Sequence, residues 1–271
     1  MNAAQAIPGD VVALCDYERH ARERLPEAAW AYLNGGAADE HTLRANQSAW
    51  AHLQLYPRVL RTLAGGHTRS QLLGRTLAWP VLLAPVAYQK MVHPDGELAT
   101  AYAAAAQQTG LVLSTQASMS LEHIAHAIHG DPDRGPLWLQ LYIQHDRGFT
   151  LELVRRAEAA GYEALVLTVD LPVGGKRERD LRNDFASNFK PSWRNSRDMW
   201  AKPAWLLDMA RHGMPQMANL TNTLGFILDA EDQGHPMAFY AYEVYVDLIQ
   251  SEWGLGDSTY PEKWVFTITG D

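Results

Sequence analysis

Polar side chains stand at the ends of several apolar runs in this 271-residue chain, where they could bind one ligand together. They are Ser114, Gln140, Tyr142 and Thr168. The runs before them are typical of strands buried in a parallel sheet, and the carboxyl ends of such strands meet at one edge. We therefore expect these side chains to line a common volume that suits a polar heterocyclic cofactor. Hydrogen bonding to the strand-end backbone would explain any one of them alone, but it explains the whole set poorly.

The charged run after Thr168 is a second place where chemistry is expected. Thr168 and Asp170 end an apolar run, and Arg177 follows in a segment that carries both signs of charge. In α/β barrels the carboxyl ends of the strands carry the catalytic groups. A guanidinium placed there is well shaped to hold a carboxylate through two parallel hydrogen bonds. The alternative is a solvated loop with internal ion pairs, which is what most charged runs are.

The elements that must position these residues follow a regular order from Pro80 onward. Apolar runs predict four strands, and apolar residues at helical spacing predict three helices between them. The predicted strands are Val81–Val86, Leu111–Thr115, Leu137–Tyr142 and Ala164–Asp170. Residues 9–36 are predicted to be helical. The alternation of strands and helices indicates an α/β fold with a parallel sheet.

Acidic residues are unevenly distributed in the chain, whose formal net charge is −8. Residues 221–271 contain nine acidic residues and one basic residue, which leaves 22 of each in residues 1–220. Such a change in composition marks a boundary or a segment of different origin. The sequence shows neither a basic face nor an alternation of basic and aromatic residues, so we expect no binding of nucleic acid.

Composition also limits the expected location of the protein. No run of about 18 uncharged apolar residues occurs, so no membrane span is expected. The first residues lack the basic start and apolar core of a signal peptide. Cys15 is the only cysteine, which excludes an internal disulfide and suits a reducing compartment, so we expect a cytoplasmic protein. We expect no metal site.

Several motifs in this order resemble the FMN-dependent 2-hydroxy-acid dehydrogenase family, which includes glycolate oxidase, lactate oxidase and the flavocytochrome lactate dehydrogenases. The matching motifs are Ala31–Thr42, Pro57–Leu60, Leu83–Glu97, Leu113–Ser118, Gln140–Tyr142, Thr168–Asp170 and Arg177–Phe185. Each motif is weak alone, whereas the ordered set is highly specific. The resemblance covers roughly residues 10–220.

The resemblance implies that FMN is the cofactor and that two groups of residues hold it. The backbone of one loop would pass the flavin, with Ala87 near its reactive N5 atom. Strand-end side chains would hydrogen-bond the isoalloxazine ring and its ribityl neighbourhood. These cofactor-binding residues are Pro85, Val86, Ala87, Ser114, Gln140 and Thr168.

The resemblance also implies the oxidation of a small L-2-hydroxy acid, such as lactate or glycolate, to the 2-oxo acid. Tyr32 and Tyr142 would donate hydrogen bonds to the substrate, and Arg177 would form half of a clamp on its carboxylate. A base would remove the hydroxyl proton while the α-hydrogen passes to the flavin as hydride; the other route abstracts the α-proton first. The structural alternatives are an interfacial helix tyrosine for Tyr32, a packed strand-end aromatic for Tyr142 and a surface ion pair for Arg177.

The fold that the resemblance implies has N-terminal helices followed by the first half of a TIM (β/α)8 barrel. We expect an N-terminal helical and connecting segment over residues 1–79 and the partial barrel over residues 80–220. Residues 221–271 form a dissimilar acidic and aromatic tail, in which Phe239–Val246 could be a strand.

The chain departs from the family where the catalytic base is expected. The base is a histidine in a His-Gly-Gly-Arg motif, and neither that motif nor the glycine-rich phosphate loops occur here. His212 lies in the segment that resembles the one before this motif, and His235 lies in the dissimilar tail. Neither follows a predicted parallel strand, so we expect neither to be the base. The alternative function is therefore a catalytically incomplete half-barrel, either a flavin-binding remnant or a partner of another chain. A homo-oligomer or a complementing chain could cover its open sheet edges.

Overall fold

The computed structural model describes residues 7–169, 175–183, 185, 193–220 and 264–267, the last four and residues 193–195 by their backbone alone. The helices are α1 (Asp16–Arg24), α2 (Glu27–Asn34), α3 (His41–Ser48), α4 (Gly96–Ala106), α5 (Leu121–Ile128), α6 (Arg147–Ala159), α7 (Glu178–Arg182), α8 (Trp193–Trp200) and α9 (Pro203–His212). The strands are β1 (Ser70–Leu72), β2 (Arg75–Leu77), β3 (Leu82–Leu83), β4 (Gly110–Ser114), β5 (Leu137–Leu141), β6 (Ala164–Thr168) and β7 (Trp264–Thr267). Short 3₁₀ helices cover Ala49–His52 and Gln89–Met91.

The chain divides into two compact units. The first unit joins Met1–Tyr56 to Gly175–Met214, and the second joins Pro57–Gly174 to Pro215–Asp271. The first unit contains the N-terminal helices together with α7, α8 and α9, whereas the second contains every described strand. The domain limits at residues 79 and 220 stay a prediction.

The second unit is built on a five-stranded parallel sheet in the order β3-β4-β5-β6-β7. Ser114 lies opposite Gln140 in the β4–β5 pair, and Leu141 lies opposite Leu167 in the β5–β6 pair. Helices α4, α5 and α6 connect β3 to β6, as a parallel sheet requires. The predicted α/β class, with N-terminal helices followed by a partial (β/α) barrel, is confirmed. The fifth strand comes from the tail, whose predicted strand Phe239–Val246 lies outside the described residues.

The two faces of this sheet bury different sets of residues because side chains alternate along a strand. Leu113, Leu139 and Leu165 belong to the large core that the sheet shares with residues of α4, α5 and α6. Val112, Trp138, Ala164 and Val166 form a separate cluster on the other face, which Leu72 of β1 also contacts. Since Ser114, Gln140 and Thr168 are two residues beyond members of this second cluster, they point away from the connecting helices.

One strand is shorter than the sequence predicts, and one helix begins at a serine cap. Strand β3 is only Leu82–Leu83, because the proline that follows at position 85 has no N–H for the ladder. Ser120 is the N-cap of α5, and its hydroxyl accepts a hydrogen bond from the N–H of His123. Ser118 has a different role, described below.

Tyr162 provides a test of how firmly α5 is attached to the sheet. Its hydroxyl donates to the carbonyl of Leu121 over 3.0 Å in the interior, and burial raises the pKa of the phenol. We expect Tyr162→Phe to lower the free energy of unfolding by about 1 kcal/mol, because the buried hydrogen bond from the phenol to this carbonyl is lost. Thermal unfolding measures this loss. Tyr102→Phe, at an exposed position on α4, is the matched control and is expected to change little.

The ion pair between α5 and α6 sets a weak dependence of stability on pH. Arg156 Nε lies 2.7 Å from Glu122 Oε1, and this side-chain hydrogen bond holds the pKa of Glu122 below its ordinary value of 4.5. A lowered carboxyl pKa stabilises the fold above pH 4.5 and loses that effect as the pH falls through the folded-state pKa. Because both side chains are partly exposed, Glu122→Gln should lower the free energy of unfolding by under about 1 kcal/mol at neutral pH. In acid the substitution should leave it unchanged. Urea unfolding at both pH values tests this; an equal loss at both would contradict it.

In the first unit, apolar residues of the N-terminal helices pack against those of α8 and α9. Leu25 and Ala28 share a buried cluster with Met199 and Trp205. Lys202 Nζ donates over 2.7 Å to the carbonyl of Glu23, in the last turn of α1, where a cation is favourable. Among the described helices, none combines the length and apolarity that a bilayer crossing requires.

Candidate functional site

One amide side chain joins the ends of three adjacent strands in the second unit. Gln140 Nε2 donates to Thr168 Oγ1 over 2.7 Å, and Ser114 Oγ donates to Gln140 Oε1 over 3.3 Å. Ser114 and Gln140 are 5% and 3% exposed, whereas Thr168 is half-buried. The structure thus brings together three of the four side chains that the sequence placed at strand ends.

Thr115, the residue after β4, completes this network. Its hydroxyl donates to the backbone carbonyl of Gln140 over 2.5 Å and accepts from the backbone N–H of Tyr142 over 3.2 Å. Its own N–H donates to Gln140 Oε1 over 3.2 Å. Both its hydroxyl and its N–H are therefore used to align the ends of β4 and β5, and Thr115 is 1% exposed. Its role is to align the strand ends.

The loop after β3 runs beside the same end of the sheet. Pro85 and Val86 are exposed and Ala87 is half-buried. Tyr88, which follows them, has a φ of 55° in the left-handed region, and its N–H donates over 3.3 Å to the carbonyl of Gln116 after β4. A non-glycine residue is strained in this conformation by about 1–3 kcal/mol, so surrounding contacts must hold it. The shape of the loop is therefore imposed by its neighbours.

Tyr142 lies just beyond β5 and is half-buried. Its carbonyl accepts a hydrogen bond from Gln144 Nε2 over 3.0 Å, and its N–H is held by Thr115, as described above. The backbone at this tyrosine is thus fixed on both sides.

Arg177 belongs to the first unit and lies at the carboxyl end of α2. Its Nη2 donates to the carbonyls of Tyr32 and Gly35 over 2.5 and 3.3 Å. A Cβ on Gly35 would collide with the Ala31 carbonyl and lie 3.4 Å from Arg177 Nη2, so glycine allows this approach. The arginine therefore satisfies carbonyls that the end of a helix leaves without partners.

Asp180 is the carboxylate partner of Arg177 and was missed from the sequence. Arg177 Nε lies 2.8 Å from Asp180 Oδ2, so the two groups form an ion pair. The Nε–H is not directed at this oxygen, so the contact is not a hydrogen bond. Asp180 is buried, and burial raises the pKa of its carboxyl, while Arg177 and Arg179 partly oppose that shift. The i, i+3 spacing of arginine and aspartate on a helix was the available signal. The hydrogen bonds of Arg177 to α2 come from Nη2, whereas its buried Nε makes none within the described residues.

Tyr32 stands next to Arg177 in the same unit. The guanidinium carbon of Arg177 lies 5.2 Å from the centroid of the Tyr32 ring, and the Phe185 ring stacks on Tyr32 at 4.4 Å. Nearby, Arg179 Nη2 lies 2.7 Å from Glu40 Oε2. The motifs Ala31–Thr42 and Arg177–Phe185 are thus packed together, although more than a hundred residues separate them.

The remaining candidates lie elsewhere. His212 is the exposed last residue of α9, with its ring Nδ1 3.1 Å from the carbonyl of Asp208, and it follows no strand. Asp170 and His235 lie outside the described residues. In the part of the chain that the structure describes, no three His, Cys, Asp or Glu side chains are grouped so that they could hold a metal ion.

Comparison with known proteins adds sequence relatives and a solved structure. The chain is 47% identical over 175 residues to L-lactate oxidase of Nostoc sp., which covers 64% of the chain and 47% of that protein. It is 42% identical over 178 residues to 2-hydroxyacid oxidase 1 of Homo sapiens, which covers 65% of the chain and 46% of the relative. The chain spans about half the length of the curated relatives it matches.

The fold is similar to that of a solved enzyme. The crystal structure of the monotopic membrane protein (S)-mandelate dehydrogenase matches with a TM-score of 0.73 and 33% identity, over 84% of this chain and 60% of that one. The family model described as FMN-dependent dehydrogenase matches residues 21–238. This range includes the hydrogen-bonded residues at the strand ends, Ser114, Thr115, Gln140 and Thr168. It also includes Tyr32, Arg177 and Asp180. The chain therefore belongs to the FMN-dependent dehydrogenase family.

Proposed function

We propose that the chain binds FMN at the carboxyl ends of β3 to β6 and takes part in the oxidation of a small L-2-hydroxy acid to the 2-oxo acid. The observation that carries this proposal is the Gln140 amide, which links Ser114 and Thr168 across three neighbouring strands. In α/β folds ligands bind at the carboxyl ends of parallel strands. The names of the relatives, which include a lactate oxidase and a 2-hydroxyacid oxidase, support the substrate class.

The chemistry of this donor set fits a flavin ring. Gln140 Nε2 carries two hydrogens, of which Thr168 accepts one, so a second remains for a ligand. Thr168 Oγ1 accepts that bond and keeps its own hydrogen for donation. Pro85 and Val86 are exposed, so the loop backbone is accessible to a flat ring. Donors that could meet the carbonyl and nitrogen atoms of the isoalloxazine are therefore available together with an accessible loop surface.

The proposed roles divide between holding the cofactor and holding the substrate. Bound FMN would supply the two-electron acceptor for the reaction. Ser114, Gln140 and Thr168 would orient its ring through hydrogen bonds, and the backbone of Pro85–Ala87 would pass alongside it. Tyr32 and Tyr142 would donate to the substrate, and Arg177, whose Nη2 bonds to α2, would form half of the clamp on the substrate carboxylate.

A second candidate function is a half-barrel that holds FMN without completing the reaction. Two observations favour it: the sequence lacks a His-Gly-Gly-Arg motif for the base, and the chain matches about half of each relative. In this case a complementing chain supplies the base, the phosphate loops and the other half of the carboxylate clamp, whereas a second copy could only cover the open sheet edges. We propose a cytoplasmic location for either function, supported by the single free cysteine, Cys15.

Two measurements on the purified protein separate these functions. Titration with FMN in the dark, followed by quenching of flavin fluorescence, tests whether the cofactor binds. Anaerobic mixing of the FMN complex with L-lactate, glycolate or (S)-mandelate then tests for bleaching of the visible flavin band. Bleaching supports the oxidoreductase function, and quenching without bleaching supports the half-barrel. Absence of quenching contradicts both.

A further inference from the structure

We infer that Glu97 is a positioning residue that fixes the loops after β3 and β4, next to the proposed flavin site. This inference rests on the proposed function, because the loops in question are those that would hold FMN. Glu97 is the second residue of α4 and is 0% exposed. No lysine, arginine or histidine among the described residues pairs with this carboxylate. A fully buried acidic side chain without a cation needs another explanation.

The explanation is a set of hydrogen bonds from two separate loops. Glu97 Oε1 accepts from the backbone N–H of Gln89, in the loop after β3, over 3.2 Å. The same oxygen accepts from the backbone N–H of Ser118, in the loop after β4, over 2.8 Å. Glu97 Oε2 lies 2.7 Å from the Ser118 hydroxyl, which in turn accepts from the N–H of Lys90 over 3.0 Å. One carboxylate thus joins the two loops through backbone groups of both.

The start of α4 makes this arrangement possible. The positive end of the helix dipole favours an acidic side chain in the first turn, which offsets part of the cost of burying it. Gly96 precedes Glu97 with a φ of 47°, and a Cβ there would lie 2.8 Å from the side chain of Lys90. The glycine therefore allows the loop after β3 to pass close to the start of the helix that carries Glu97.

The residues fixed in this way adjoin those proposed to face the flavin. Gln89 and Lys90 follow Tyr88, whose left-handed backbone comes directly after Ala87. Gln89 also accepts a hydrogen bond from Thr100 of α4 over 2.6 Å, which attaches its side chain to the same helix. Because Tyr88 is strained, the positions of Pro85–Ala87 depend on the contacts of Gln89 and Lys90 with Glu97 and Ser118.

The test compares Glu97→Leu with Glu97→Gln. The leucine removes both acceptors, so we expect FMN to bind about tenfold or more weakly and the amides of residues 88–90 to exchange about tenfold faster. The glutamine keeps one oxygen that can accept both backbone N–H groups, so its FMN affinity should return to within about threefold of the wild type. Glu152→Leu, on the exposed surface of α6, is the matched control and should change neither quantity.

Ser118→Ala keeps the test decisive if Glu97→Leu fails to fold. It removes only the hydroxyl between Lys90 and Glu97, and we expect weaker FMN binding together with faster exchange at Lys90. A merely structural role would lower the melting temperature but leave the FMN affinity of the folded protein unchanged. A folded variant with unaltered affinity and unaltered exchange at residues 88–90 overturns the inference. If the wild type binds no FMN, the proposed function fails, and amide exchange alone still decides whether Glu97 fixes these loops.

Discussion

Replacing Gln140 by leucine is expected to weaken FMN binding by at least about a hundredfold and to lower the free energy of unfolding by about 2–4 kcal/mol. The leucine has a similar size but removes the amide that bonds to Thr168, Ser114 and Thr115. It leaves the buried N–H of Thr115 and the Ser114 hydroxyl without their acceptor, which is the costly case for a polar group. Fluorescence titration with FMN measures the first effect, and urea unfolding measures the second.

Gln107→Leu is the matched control for this substitution. Gln107 is exposed at the end of α4, so its replacement by leucine should change neither FMN affinity nor stability. Both Gln140 effects arise from the same amide and should appear together. A Gln140→Leu protein that is destabilised but binds FMN like the wild type would show that the network only aligns the strands.

Replacing Arg177 by methionine is expected to lower the free energy of unfolding by about 2–3 kcal/mol, even in the absence of substrate and cofactor. The methionine keeps the length of the side chain, but the carbonyls of Tyr32 and Gly35 lose their donor. Asp180 would remain buried without the cation that now lies beside it. Urea unfolding without ligand measures the loss.

The loss of stability in Arg177→Met should be larger at neutral pH than in acid. Burial already raises the pKa of Asp180 above its ordinary value of 3.8, and removing Arg177 raises the pKa further. A raised carboxyl pKa means that the folded state is favoured when the group is protonated, and that this advantage is lost as the pH rises through the folded-state pKa. The variant should therefore be most destabilised at neutral pH and closer to the wild type in acid.

Arg182→Met provides the control on the same helix. Arg182 is an exposed side chain that forms an i, i+4 ion pair with Glu178, so its loss should cost under about 1 kcal/mol. Equal stability losses for the two arginine variants would contradict the helix-capping role of Arg177. An Arg177→Met protein of unchanged stability that no longer reacts with a 2-hydroxy acid would favour a role in the substrate clamp alone.

Much of the strand-end network could be predicted from the sequence because side chains alternate along strands. Residues two positions apart share a face, so Ser114, Gln140 and Thr168 could be assigned to one side of the sheet before the structure was known. The buried strands β4, β5 and β6 were also predictable from their apolar runs. Strand β3 was predicted too long because the prediction followed the apolar run through Pro85, which cannot donate a hydrogen bond to a neighbouring strand.

Contacts between distant parts of the chain could not be predicted in the same way. Glu97 looks like an ordinary acidic residue in the first turn of a helix, and its burial depends on the loop after β4. Arg177 has a side chain suited to binding a substrate carboxylate, yet its Nη2 donates to a carbonyl at the carboxyl end of α2. Neither contact follows from local periodicity, because each joins segments that only the tertiary fold brings together. The aromatic and β-branched run at residues 264–267 favours a strand, but its pairing with β6 does not follow from the sequence.

The order of strands in the sheet has a consequence for how this protein is made. From β3 to β6, each strand pairs with its neighbour in sequence. The hydrogen bonds that join Ser114 to Gln140 and Gln140 to Thr168 span only 26 and 28 residues. A ribosome adds about 5–20 residues per second, whereas contacts of such short range form far faster. These four strands can therefore assemble during translation, before any later part of the polypeptide has left the exit tunnel.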